Sequence, residues 1–255
     1  MMMNVYRMCL FMRFIKVILL FLILISPVKA NTIYNLIKIP NLEIYEINTS
    51  NKLKYFYAVK PFRLGVKKNI KCLNSDKKTL YNKYSIIHKN LTKYSYDFLK
   101  KINLKYIVLC ENLSISGIGA AGIPNNIMKT LILDVKFDEN YFERVIHHEV
   151  FHIINDNFKE IFNNDEWNKF NKKNFKYTLC STCSNKTGLY IYKKTNGFLT
   201  EYSQSTAPED MAEVFSHLMF NKKIVEEKLK EDPILKKKVL FIKNAISKID
   251  NQFVF

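Results

Sequence analysis

Arginine is scarce. Beyond the first 30 residues only Arg63 and Arg144 occur, although lysines carry this chain of 255 residues to a formal net charge of +17. Sites that read bases or fork onto phosphates favour arginine, so the basic balance does not indicate a nucleic-acid partner. Four of the positive charges (Arg7, Arg13, Lys16, Lys29) lie in the first 30 residues, and the other lysines are scattered. The surplus is compatible with acidic substrates or with association at an anionic surface. Internal repeats are absent. Past the N-terminal stretch no apolar run approaches the roughly 20 residues that a membrane span needs. A phosphate loop is missing too: the glycines of Ser116-Gly-Ile-Gly-Ala-Ala-Gly-Ile-Pro124 precede no Lys-Ser/Thr, and we read that stretch as a mobile loop between strands. Cys180-Ser-Thr-Cys183 has no second C-x-x-C to complete a structural zinc site, and no βαβ setting for redox chemistry.

What is present describes an exported globular protein. Apolar residues make up 48% and aromatic residues 14%, too much for a disordered chain. Residues 1–16 carry Arg7, Arg13 and Lys16 and no acid, residues 17–25 are uninterruptedly apolar, and Ser26-Pro27-Val28-Lys29-Ala30 offers small residues where a signal peptidase reads. Cleavage is expected after Ala30, with an uncleaved anchor as the alternative. No cysteine follows the apolar run, so a lipoprotein route is not indicated. Four cysteines remain in the mature chain, an even count that allows three pairings. We favour Cys180–Cys183 as a local bridge and Cys72–Cys110 as a longer one.

Periodicity places short strands at 42–47 and 53–59, a helix over 80–102 with an apolar Tyr84, Ile87, Leu91, Tyr94, Phe98 stripe, and buried strands at 104–110 and 130–135. Two polar helices broken near Asp232-Pro233 close the sequence, and they should cover the back of the preceding helix.

The chemistry lies in His148-Glu149-Val150-Phe151-His152, an H-E-x-x-H pattern. No Pro or Gly interrupts residues 141–158, so a helix is expected there. Residues four apart share a helix face, which lets both imidazoles reach one metal ion and sets Glu149 beside them as a base for a water molecule. A metzincin would continue H-x-x-G-x-x-H, but Asn155 and Phe158 stand at those places. A third ligand must come from elsewhere. Glu209 and Glu213, again four apart on a helix over 208–220, are candidates. Two histidines and one carboxylate would leave a fourth position open, the arrangement of a catalytic rather than a structural zinc. His217 lies on a similar stripe as a substitute ligand or, more commonly for such a position, a packed residue. His88 and His147 read as structural, His147 pointing about 100° away from His148.

The segment Tyr202-Ser-Gln-Ser-Thr-Ala-Pro-Glu209-Asp-Met-Ala-Glu213-Val-Phe215 resembles the Y-x6-E-x-x-A-E-x-F pattern of gluzincin-type peptidases related to anthrax lethal factor and the Pro-Pro endopeptidases. It is also similar to a bacterial family of zinc-binding metallopeptidases, often exported, in which W-x-x-x-N and F-x-Y precede that segment; Trp167, Asn171, Phe175 and Tyr177 match. The resemblance implies that Glu209 is the third zinc ligand, that Glu213 lies behind a ligand, and that Tyr202 points at the substrate carbonyl. It further implies that the strand at 130–135, just before the metal helix, forms the cleft rim that pairs with extended substrate.

The expected fold is therefore α+β and zincin-like, with an active-site helix, a small mixed sheet and a helical C-terminal part. The organisation expected is a signal peptide at 1–30, an N-terminal part of the mature domain at 31–103 with no assigned function, and a metallopeptidase core at 104–255. The expected function is zinc-dependent peptide hydrolysis with Glu149 as general base. The alternative is a non-catalytic surface or binding protein that keeps the zinc scaffold, against which Glu149 itself argues, since a scaffold needs ligands but no base.

Overall fold

In this computed structural model residues 42–46 and 49–255 are described; the signal peptide expected at 1–30 lies outside the described residues. Short apolar runs bounded by turn formers become β1 (Leu42–Glu46), β2 (Lys54–Ala58), β3 (Phe62–Leu64) and β4 (Ile70–Leu73). Helices α1 (Lys77–Leu91) and α2 (Tyr96–Lys101) follow, then β5 (Tyr106–Ile115), β6 (Ile118–Gly119), β7 (Gly122–Asn125) and β8 (Thr130–Asp134). Four helices follow, α3 (Glu139–Asn157), α4 (Asn164–Asn168), α5 (Ala207–Lys228) and α6 (Pro233–Ile249), with a largely irregular stretch at 169–206 between α4 and α5. The fold is α+β.

The sheet is organised around β5. Its first half, Tyr-Ile-Val-Leu-Cys, is buried throughout, as befits a strand covered on both faces. That half lies parallel to β2 on one side and β8 on the other, with Leu109 opposite Tyr57 and Leu133. At Asn112 (φ 51°) the strand bends, and the Asp134 carboxylate accepts from the Asn112 and Leu113 amides at 3.0 Å each. The second half then pairs antiparallel with β4 and β6, so the sheet curls. The Cys72–Cys110 bridge ties β4 to β5 at this bend. Strands from both sides of position 103 share the sheet.

Three local expectations are corrected. The helix expected over 80–102 is two helices, because Ser95 caps a new one by accepting from the Phe98 amide at 3.1 Å. The stretch 116–124, read as a mobile loop, contains β6 and most of β7. The rim strand is not 130–135 either: β8 is fully buried between β5 and β7, and β7 is the outer strand. Pro124 within β7 fits an edge, where a missing amide leaves no ladder bond unmade.

The helices pack on one face of the sheet. Phe142, Ile146, Val150 and Phe151 of α3 meet Leu131 and Leu133 of β8 and Met211, Val214 and Phe215 of α5 in one core. Phe151 is fully buried, with its ring 5.1 Å from Phe162 and 5.3 Å from Phe215. Truncating such a phenylalanine to alanine costs about 3–5 kcal/mol. Helix α6 covers α5 from behind through Leu235, Val239, Ile242 and Ile246. The result is α3 and α5 laid side by side, with the middle and C-terminal half of α3 and the first turns of α5 bordering a cleft that β7 also lines.

Candidate metal centre

Helix α3 starts at Asp138, whose side chain accepts from the Asn140 amide at 2.9 Å. Three turns on, His148 and His152 stack on one face with ring centroids 4.8 Å apart. Helix α5 starts at Thr206, which caps the amide of Glu209, and Pro208 occupies the first turn, where its lost donor costs nothing. Glu209 thus sits in the first turn of α5, aimed across at the histidines.

Three donor atoms converge. His148 Nε2 lies 2.9 Å and His152 Nε2 3.2 Å from Glu209 Oε2, and the two nitrogens are 3.1 Å apart. Zinc bonds of 2.0–2.1 Å in tetrahedral array put donor atoms about 3.3–3.4 Å apart, so the set matches a tetrahedral face to within a few tenths of an ångström. Among the described residues this is the group of three His, Cys, Asp or Glu whose ligand atoms lie within 4.8 Å of one another. Glu213, one turn beyond Glu209, accepts from His148 Nδ1 at 2.9 Å through Oε1 and from the Thr200 hydroxyl at 2.7 Å through Oε2. With a metal ion bound, the first contact would keep the His148 proton on Nδ1 and free Nε2 for the metal. Arg144 Nη1 bonds the same Oε1.

The electrostatics agree with a cation here. Burial disfavours a charged imidazole at both histidines, but Glu209 and Glu213 outweigh it at His148 and lift its pKa to about 10. Glu209 likewise raises His152. Against the cost of burial, Glu209 is held well below the usual carboxylate range by His152 and His148, and Glu213 by Arg144 and His148. The carboxylates of Glu209 and Glu213 thus favour positive charge at the two imidazoles.

Glu149 and Tyr202 flank this group. Burial raises the Glu149 carboxyl, opposed by His152 and His148. Its side chain runs against β7, where a Cβ added to Gly122 would stand 2.6 Å from Glu149 Cγ. Tyr202 opens the 3-10 turn Tyr202–Gln204, with its ring 5.9 Å from that of His148. Burial together with Glu209 and Glu149 drives its pKa far up, so it stays a phenol, and Glu209 and Ser181 line the cleft with it. Ser181 lies in the short turn closed by Cys180–Cys183. Both disulfides are the pairs favoured from the sequence.

All six residues singled out from the sequence (His148, Glu149, His152, Tyr202, Glu209, Glu213) line one cleft of about 1160 Å³. The other histidines do not join them. His147 is buried on the opposite face between Tyr94 Oη at 2.7 Å and Asn90 Oδ1 at 3.0 Å. His217 bonds the Glu213 carbonyl at 2.9 Å, a packed residue, and His88 leans on the Tyr84 ring.

Sequence reasoning missed what holds Glu209 in place. Asp210, its neighbour, is fully buried and accepts through Oδ2 from Trp167 Nε1 (2.9 Å), Tyr177 Oη (2.6 Å) and Lys238 Nζ (2.6 Å). Asn171 donates in turn to Tyr177 Oη at 3.0 Å. Trp167, Asn171 and Tyr177 are thus a clamp on the first turn of α5. Lys238 left a signal: it stands among Leu235, Val239 and Ile242 on the apolar stripe of its helix, where a solvated lysine has no place.

An α+β domain whose open cleft is floored by two histidines of one helix and a glutamate of another is, as a class, a zinc-site domain. Comparison with known proteins narrows this. The profile of a family described as "putative zinc-binding metallo-peptidase" matches residues 68–252. The chain belongs to that family of zinc-binding metallopeptidases. The crystal structure of a protein titled a putative zinc-binding metallo-peptidase, from Bacteroides caccae, is similar at 22% identity and a TM-score of 0.47, over 75% of this chain and 77% of that one. No curated protein matches the chain.

Proposed function

We propose that the chain is an exported endopeptidase of the H-E-x-x-H, gluzincin type, related to the lethal-factor-like enzymes, with His148, His152 and Glu209 holding the zinc. The observation that carries this is the convergence of three donor atoms at 2.9, 3.1 and 3.2 Å in the floor of a cleft. When bound, zinc supplies Lewis acidity, polarising the scissile carbonyl and easing deprotonation of water.

The protein's own groups do the rest. Glu149 Oε takes the proton of the attacking water and passes it to the leaving amine, and burial that raises its pKa suits both steps. Tyr202 Oη, held as a phenol, donates to the oxygen that gains charge in the transition state. Glu213 orients His148 from behind. The outer edge of β7 is unpaired among the described strands and faces the cleft, so an extended peptide can add to it as a further strand. A cleft of this size exceeds the 300–1,000 Å³ typical of small-molecule sites and accommodates several residues.

Export rests on the N-terminal segment with its small residues at Val28 and Ala30, and two disulfides support it, since such bonds persist in oxidising compartments. Substrates are proteins or peptides. No described helix is long and apolar enough to cross a membrane.

The test is metal analysis of the mature chain together with cleavage of a mixed peptide library, with and without chelator. The expected result is one zinc per chain, chelator-sensitive cleavage, and a Glu149→Gln variant that keeps zinc and loses turnover. One zinc with no cleavage under any condition would instead favour a non-catalytic scaffold.

A further inference from the structure

We propose that Arg144 makes one side of the cleft a subsite for a carboxylate of the substrate, either an acidic side chain or a C-terminus. The inference rests on the peptidase reading of the same site and adds to it a chemical preference. Arg144 lies one turn before His148 on α3, is 4% exposed, and lines the cleft. Nη1 bonds Glu213 Oε1, whereas Nη2 is buried and has no hydrogen-bond partner.

Glu213 has little left to offer it, since Oε1 already takes Arg144 Nη1 and His148 Nδ1 while Oε2 takes Thr200. A buried donor without an acceptor is costly, and natural structures keep one chiefly where a ligand or ordered water completes it. The residue type points the same way. This chain uses lysine for nearly every cation, and Arg144 is one of two arginines beyond residue 30. A lysine would suffice to neutralise Glu213. A planar fork is needed to hold Glu213 with one nitrogen and present the other to a second acceptor, and carboxylates match that fork best.

The test uses peptides of fixed length from a positional library, each made with Glu or Gln at one place, and each as free acid or C-terminal amide. Cleavage by the zinc-loaded wild type is compared with that by Arg144→Lys of confirmed zinc content. Binding of the same peptides to Glu149→Gln provides a readout without turnover. The expected result is a preference of tenfold or more for Glu over Gln at one position, in both kcat/KM and affinity, falling to within about threefold in Arg144→Lys. If the acid-to-amide pair at the C-terminus carries the preference, the terminal carboxylate is the ligand. An acid-to-amide ratio unchanged in Arg144→Lys while all rates fall would overturn the proposal and leave Arg144 as a support for Glu213. Absence of any such preference in the wild type would overturn it without recourse to a variant. Loss of zinc or of all cleavage in the wild type would count against the peptidase reading, and the binding measurement would still decide the subsite.

Discussion

Gly122→Ala probes the contact between the edge strand and the presumed base. The substitution adds one methyl group, at a backbone position that places no special demand on glycine. That methyl would lie 2.6 Å from Glu149 Cγ, 3.1 Å from Cδ and 3.2 Å from the Ile132 carbonyl. Carbon atoms rest about 3.5–4.0 Å apart, so Glu149 must retreat by about 1 Å, since Ile132 behind belongs to the buried β8. A 1 Å misplacement of a catalytic group costs on the order of 10²-fold. The expected outcome is kcat reduced about 10- to 100-fold, KM little changed, and zinc retained at one per chain. The melting temperature should move by only a few degrees, because alanine in a strand offsets part of the strain by restricting the unfolded chain. Steady-state kinetics on one peptide, metal analysis and a thermal melt read all three. Wild-type kcat would refute the placement of Glu149 under β7, and zinc loss with unchanged melting would mean that β7 supports the ligands rather than the base.

Other substitutions separate the remaining roles. Glu209→Ala should be purified largely free of zinc, whereas Glu213→Ala should hold it about 10- to 100-fold more weakly, as seen for groups behind a ligand; metal titration with the reverse order would place the ligand one helical turn on. Tyr202→Phe should bind zinc normally and lose about 10²–10³ in kcat, the scale for one lost oxyanion donor, and unchanged turnover would remove Tyr202 from the mechanism. Lys238→Met strands Asp210 in the core and should cost about 3–5 kcal/mol in a denaturant melt, with much of it recovered when Asp210 is also made apolar. Replacing Cys72 and Cys110 by serine, a pair 38 residues apart, should cost about 2–4 kcal/mol, while opening Cys180–Cys183 should leave global stability nearly intact and lower kcat through the turn that carries Ser181 against Tyr202.

Legibility in the sequence followed sequence distance. His148, Glu149 and His152 share one helix, so the 3.6-residue period alone brings them together, and the same argument makes Glu209 and Glu213 co-facial. That the two helices meet is a tertiary fact, supplied by resemblance before the fold was known. Asp210 beside Glu209 has no local signature, because its partners Trp167, Tyr177 and Lys238 arrive from three separate stretches. Strand β7 was hidden by its own chemistry: Gly122 and Pro124 mark loops in most contexts, and only the neighbouring β8 makes them an edge. The bend of β5 at Asn112 depends on the Asp134 carboxylate, 22 residues away, and has no local signature.

The lysine beneath Asp210 has a consequence in time rather than in space. Residue 238 is synthesised 28 residues after residue 210, and without it the first turn of α5 carries a buried acid with no counter-charge. Glu209, the proposed third ligand, sits in that turn and is expected to be held loosely until the lysine arrives. For the proposed peptidase, that order would delay the completed centre until the C-terminal helix has emerged and folded back against Asp210.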